Sequence, residues 1–238
     1  MQFRLMTYNI HKGIGGIDRR YDLRRVVEVI RQYESDIVFL QEVDQGVPRS
    51  RHDHQIEILA ESLEYEYYSF QPNVPVKQGY YGNAILSRYP LGPKLDLDLR
   101  VSIKKRRAAL IAPVEITQGD RTLPMLLCNA HLGLSGFERS IQIRRILGRD
   151  ELQQPTASTI VGGDFNDVWG EHGRKLMFPS RFRCAVSRAK TFPAVLPVRS
   201  LDAIYYRGNL RLIGSFTGQT RLARRASDHL PVIADFEV

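Results

Sequence analysis

Cysteine is scarce in this chain, with only Cys128 and Cys184 among 238 residues. The two lack metal-ligand spacing, which argues against a disulfide framework or a zinc knuckle and reads as free thiols in a reducing compartment. No His-x-x-x-His pair points to zinc either. A long uninterrupted apolar stretch is missing, as is the apolar core of a leader peptide, so the expectation is a soluble, cytoplasmic protein without a transmembrane segment. Internal repeats, low-complexity tracts and Gly/Ser linkers are absent, and the composition stays even; residues 1–238 therefore read as a single domain, long enough to bury a core without staples.

An acidic surplus is also missing. Thirty-four Lys and Arg against 26 Asp and Glu leave a net charge of +8, and the sequence pI is about 9.6. Such a balance favours anionic partners: nucleic acid, acidic lipid headgroups or phosphorylated small molecules. The basic residues cluster in Lys104-Lys105-Arg106-Arg107 and again at Arg221, Arg224 and Arg225. A charge run is usually a solvated face, but arginines just ahead of the Asp228-His229 pair suit phosphate oxygens.

Strand signals are frequent: Phe3 to Tyr8, Asp36 to Gln41, Asn83 to Ser87, Ala108 to Ile116, Pro124 to Ala130, Thr159 to Gly162, Ala203 to Tyr206, Leu210 to Phe216 and Leu230 to Val238. Helices are fewer. Asp22 can cap a helix with Leu23, Val26, Val27 and Ile30 on one face; Ile56, Leu59, Ala60 and Leu63 form a second stripe; a third helix covers roughly Phe137 to Leu147. This interleaving predicts layered sheets with helices outside, without separating a two-sheet sandwich from one mixed sheet.

Polar clusters recur at the ends of these apolar runs, where a rigid scaffold presents catalytic side chains. They are Thr7-Tyr8-Asn9-Ile10-His11, Leu40-Gln41-Glu42, Asn129-Ala130-His131, Gly163-Asp164-Phe165-Asn166, Ser200-Leu201-Asp202 and Ser227-Asp228-His229. Each alone has a bland reading: Asn9 a turn residue, Glu42 a solvated strand end, Asp164 and Asn166 a self-bonded turn, His131 and His229 structural imidazoles. Together they offer oxygen ligands that suit a hard cation, Mg2+ or Mn2+, and imidazoles that suit proton transfer. That combination describes metal-assisted attack of water on phosphorus.

In these six motifs and their order, the chain resembles the endonuclease/exonuclease/phosphatase superfamily, with its DNase I-like nucleases, AP endonucleases, sphingomyelinases and inositol-polyphosphate 5-phosphatases. The opening Thr7 to Gly13 and the segment Gly46 to Ser50 look most like its bacterial metal-dependent hydrolase branch. The resemblance implies an α/β fold, a four-layer sandwich of two packed mixed β-sheets flanked by helices. It implies that Glu42 binds the metal, with Asn9 and Asp228 holding it or its waters. His229 would be the general base, oriented by Asp202; Asp164 and Asn166 would position nucleophile and phosphate; His131 would stabilise the developing charge or protonate the leaving oxygen. Arg107 and Asn83 fall where a substrate contact is conceivable, although a basic loop and a cross-strand pair account for them as well. His11 stands where AP endonucleases carry an acid, and His131 where they carry a Tyr, so base-excision repair is disfavoured.

The sequence thus predicts a divalent-metal-dependent phosphodiester hydrolase, with DNA ahead of RNA as substrate and little sequence specificity. The alternative keeps the chemistry and changes the substrate to phospholipid headgroups, inositides or small phosphoesters; the aromatics of Tyr65 to Phe70 and Tyr80-Tyr81 could touch lipid, stack on bases or fill strands. A binding module with a dead site is the remote reading, since every expected catalytic position is filled.

Overall fold

The computed structural model describes residues 1–101, 106–153 and 158–238. Lys104 and Lys105 of the basic run lie outside the described residues. The chain first lays down β1 (Gln2–Asn9), β2 (Ile37–Gln45), β3 (Tyr67–Pro75) and β4 (Tyr80–Ser87). It then builds β5 (Leu95–Asp98), β6 (Ala108–Gln118), β7 (Arg121–His131), β8 (Ser158–Asp164), β9 (Arg183–Val186) and β10 (Asp202–Arg207). Finally it returns with β11 (Arg211–Thr217) and β12 (Val232–Glu237). Two six-stranded sheets result, in the orders β11-β12-β1-β2-β4-β3 and β5-β6-β7-β8-β10-β9. Each has one parallel pair at its centre, β1 with β2 and β7 with β8, and antiparallel neighbours elsewhere. The sheets are mixed, as anticipated.

Period-two alternation sorts each strand's side chains between two environments. Phe3 and Leu5 of β1, Ile37 and Phe39 of β2, Leu127 of β7, Ile160 of β8 and Ile204 of β10 meet in the seam between the sheets. Met6, Tyr8, Val38 and Leu40 face the other way, under α1 (Leu23–Tyr33) and α2 (Gln55–Leu63). Cys128, Ala130, Val161 and Tyr205 face out beneath α3 (Gly136–Leu147) and the short helix His172–Met177. The outcome is helix, sheet, sheet, helix.

Both predicted stripes on α1 and α2 are buried. Asp22 does stand at the α1 N-cap, but its side chain makes no cap bond; Arg24 and Arg25 take its carboxylate instead. The full capping box belongs to α3, where Ser135 and Glu138 satisfy each other's backbone N–H groups. The short strands β5 and β9 carry too few residues to announce themselves, and the strand expected to stop at Gln41 runs on to Gln45. No helix among the described residues is long and apolar enough to cross a membrane.

Candidate active site

The seam-facing register of each strand stays apolar through the core and turns polar at one end. On β1, Phe3 and Leu5 are followed by Thr7 and Asn9; on β7, Leu127 by Asn129 and His131; on β8, Ile160 and Gly162 by Asp164. On β10 the polar residue, Asp202, comes first because that strand runs in the opposite direction. All of these ends lie together, so one mouth collects polar groups from both sheets.

Beneath the mouth, amides join the sheets. The Gln41 amide donates to Asn129 Oδ1 at 2.8 Å and to Thr7 Oγ1 at 3.1 Å. Asn129 Nδ2 donates to the Leu40 and Ala84 carbonyls at 2.9 and 2.8 Å. Thr7, Gln41 and Asn129, all within the motifs, are therefore buried scaffold. Asn83 belongs with them: its amide nitrogen donates to Gln71 Oε1 at 3.0 Å and to the Ala108 carbonyl at 2.9 Å. Both N–H groups are thus engaged inside the seam.

Asp164 is the hub of the mouth. Its Oδ2 accepts from Asn9 Nδ2 at 3.0 Å and lies 3.3 Å from His131 Nε2 and 3.8 Å from His229 Nε2. Its Oδ1 accepts from the Asn166 backbone N–H at 3.0 Å. Burial pushes the Asp164 carboxyl up, against the opposing charges of His229 and Arg107. Asn166 adopts φ +49°, and its side-chain amide donates to the Leu132 carbonyl at 2.9 Å. It holds the loop after β8 against the loop after β7.

His229 is buried and oriented from several sides. Its Nδ1 lies 2.9 Å from Asp202 Oδ2, which also accepts from Thr191 Oγ1 at 2.5 Å. Its ring tilts onto Phe192 with centroids 5.1 Å apart, and its backbone N–H donates to Ser227 Oγ at 3.2 Å. Burial alone drives the imidazole pKa down; the carboxylates of Asp202 and Asp164 outweigh it and the net direction is upward. Thr191 and Phe192 carry no motif, and only the fold shows them packed around this histidine.

Glu42 owes its position to a bulge. The β2–β4 register shifts between Leu40 and Val43, and Glu42 has φ +57°. Leu40 and Val43 both face the helices, so the two residues between them occupy the space of one and Glu42 is freed from the alternation. Its carboxylate pairs with the Lys12 ammonium. Lys12 sits on a turn after β1 at φ +63°, and that turn starts where Asn9 Oδ1 accepts the His11 backbone N–H at 3.0 Å. Asp228 faces the same turn, with Oδ2 3.7 Å from His11 Nε2. Arg107 is buried, and its charge is felt by both Asp164 and Tyr81. Lys12 lies within the Thr7 to Gly13 string, but the sequence assigns it no role.

Among the described residues no three His, Cys, Asp or Glu side chains gather as a cage for a metal ion. Mg2+ does not need one; it keeps several waters and is held by one or two carboxylates together with substrate oxygens. The ammonium on Glu42 shows that this carboxylate takes a cation. Glu42, Asp228 and Asn9 Oδ1 are hard oxygen donors, so the residues present fit such an ion.

Comparison with known proteins places this arrangement. A model of the Endonuclease/Exonuclease/phosphatase family matches residues 6–229. The uncharacterized protein YbhP of Escherichia coli K12 is 29% identical over 250 residues, covering 99% of this chain and 96% of its own. Among solved structures, the endonuclease/exonuclease/phosphatase of Beutenbergia cavernae superposes with a TM-score of 0.79 at 21% identity, over 100% of this chain and 72% of that one. The human Nocturnin catalytic domain with bound sulfate gives 0.78 at 21% identity, over 99% of this chain and 94% of that one.

Proposed function

Because the chain belongs to the Endonuclease/Exonuclease/phosphatase family, we propose that it is a phosphodiester hydrolase assisted by a divalent cation, Mg2+ or Mn2+. The observation that carries this reading is the Asp202–His229 dyad, with His229 Nε2 turned toward the Asp164–His131 pair at the shared mouth of the two sheets.

In its neutral form, with its Nδ1–H donated to Asp202, His229 offers the Nε2 lone pair to a proton. Water aligned by Asp164 gives that proton to His229 as its oxygen bonds to phosphorus. Asp202 balances the imidazolium that forms. His131, whose Nε2 lies 3.3 Å from the same Asp164 oxygen, gives a proton to the departing alkoxide as the old P–O bond breaks. The products are a phosphomonoester and an alcohol. Asn9 and Asn166 hold the two oxygens of Asp164 in place, and Arg107 adds positive charge beside it. Glu42, Asp228 and Asn9 would hold the cation. When bound, it offsets phosphoryl charge and, as a positive neighbour of His229, lowers the proton affinity of the imidazole.

Hydrolysis of bis-p-nitrophenyl phosphate with Mg2+ or Mn2+ tests this reading. His229→Ala is expected to lower the rate by about 10²–10⁴-fold, the usual contribution of a positioned base. An unchanged rate would overturn the mechanism. Two free thiols fit a reducing, cytoplasmic setting. The charge of +8 supports a carrier of like phosphates. DNA satisfies that charge, and nicking of supercoiled plasmid tests it; an anionic lipid headgroup satisfies it too, and the composition of the mouth separates them.

A further inference from the structure

The four most exposed large apolar side chains among the described residues are Trp169 at 77%, Leu134 at 75%, Phe137 at 74% and Leu196 at 70%. All four lie on segments that leave or enter the strands at their mouth ends. Leu134 and Phe137 follow His131, Trp169 follows Asp164, and Leu196 lies on the segment leading into Asp202. Val198, before Asp202, and Ile17, after β1, are exposed as well.

Backbone and side-chain bonds join these loops. Asn166 Nδ2 donates to the Leu132 carbonyl at 2.9 Å, and the Ser200 N–H to the Val168 carbonyl at 3.1 Å. The Ala194 N–H donates to the Asp228 carbonyl at 2.7 Å. Gly16, next to Ile17, lies so close to Asp228 that a Cβ there would come within 2.7 Å of its Cα. The segments that follow Asn9, His131 and Asp164 are thus tied to those that lead into Asp202 and His229.

The same loops carry a surplus of positive charge. Arg19, Arg20, Lys190, Arg199, Arg221 and Arg225 are exposed, and none forms an ion pair among the described residues. Asp18 and Glu171, the acids beside them, already pair with Arg25 and Arg188.

We propose that this apolar, cationic rim seats the protein on an anionic phospholipid surface, so that the phosphodiester of a membrane lipid is the substrate presented to His229. The composition favours lipid over a polynucleotide. Bases stack on flat π-faces, which Phe137 and Trp169 possess and Leu134, Leu196, Val198 and Ile17 do not. Aliphatic side chains enter the headgroup–acyl boundary, Trp settles at that boundary, and Lys and Arg are drawn to acidic headgroups. For the reaction alone this rests on the hydrolase reading: water adds to phosphorus, one ester P–O bond breaks, and the released alcohol takes a proton.

The chain has one tryptophan, and it is Trp169, so its fluorescence reports on the rim alone. Mixing the full-length protein with vesicles of phosphatidylcholine and phosphatidylglycerol is expected to shift its emission to the blue and to protect it from acrylamide. Leu134→Ser, Leu196→Ser and Val198→Ser together are expected to weaken vesicle binding by about tenfold or more, with the melting temperature unchanged because these side chains touch solvent. No emission change with anionic vesicles at low salt would overturn the proposal. So would a response only to a single-stranded oligonucleotide, or burial of Trp169 by self-association instead. His229→Ala distinguishes the two claims, since it should keep vesicle binding while losing turnover of a soluble diester.

Discussion

At the scale of single residues, the Lys12–Glu42 pair is the contact with the most consequence. A divalent cation held by Glu42 would compete with the Lys12 ammonium for the carboxylate. Lys12→Met is therefore expected to tighten Mn2+ binding several-fold, measured by calorimetry or by the loss of the free-ion EPR signal; weaker binding would refute the competition. The motifs made the acids, amides and imidazoles of the mouth legible, because six short strings in a fixed order are specific together. They could not show which member of a motif works as scaffold. Gln41 and Asn129 face a partner 88 positions away, and Asn83, readable as a substrate contact or a cross-strand pair, bonds Gln71 and Ala108. Lys12 and Thr191 were illegible because their importance comes entirely from what the fold brings beside them.

Individual elements repeat the lesson. Hydrophobic periodicity located α1, α2 and α3 and most strands, since each buries one face. It ended β2 too early, because a bulge breaks the alternation at Gln41 and Glu42. It said little about β3, an edge strand holding Pro72 and Pro75 with a half-exposed pattern. The end of β8 depends on Gly163, which has φ +134° and lies against the Ala130 backbone, leaving no space for a side chain. Gly163→Ala is expected to cost about 2 kcal/mol or more, from strained dihedrals and the displaced neighbouring strand. Urea denaturation measures it, and a loss below about 0.5 kcal/mol, the range of ordinary surface substitutions, would refute the assignment.

For the molecule as a whole, the arrangement of strand directions is the same in both sheets, and each sheet brings its own share of the mouth. Asn9 and Glu42 come from one; His131, Asp164 and Asp202 come from the other. The distance from Asn9 to Asp164 is thus a distance between sheets, set by the side chains packed behind it. Phe39 packs in that seam against Gly162, two residues behind Asp164: a Cβ there would lie 3.3 Å from its ring. Phe39→Leu is expected to cost only about 1 kcal/mol of stability, yet to slow hydrolysis of a soluble diester by about tenfold or more, since small misplacements of reacting groups are amplified in rate. Equal rates for the two proteins would argue that the mouth holds its own geometry. If the slower rate is found, the seam acts as a calliper whose gap is read out in catalysis. Thermal loosening would then silence the enzyme while its secondary structure, followed by circular dichroism, was still intact.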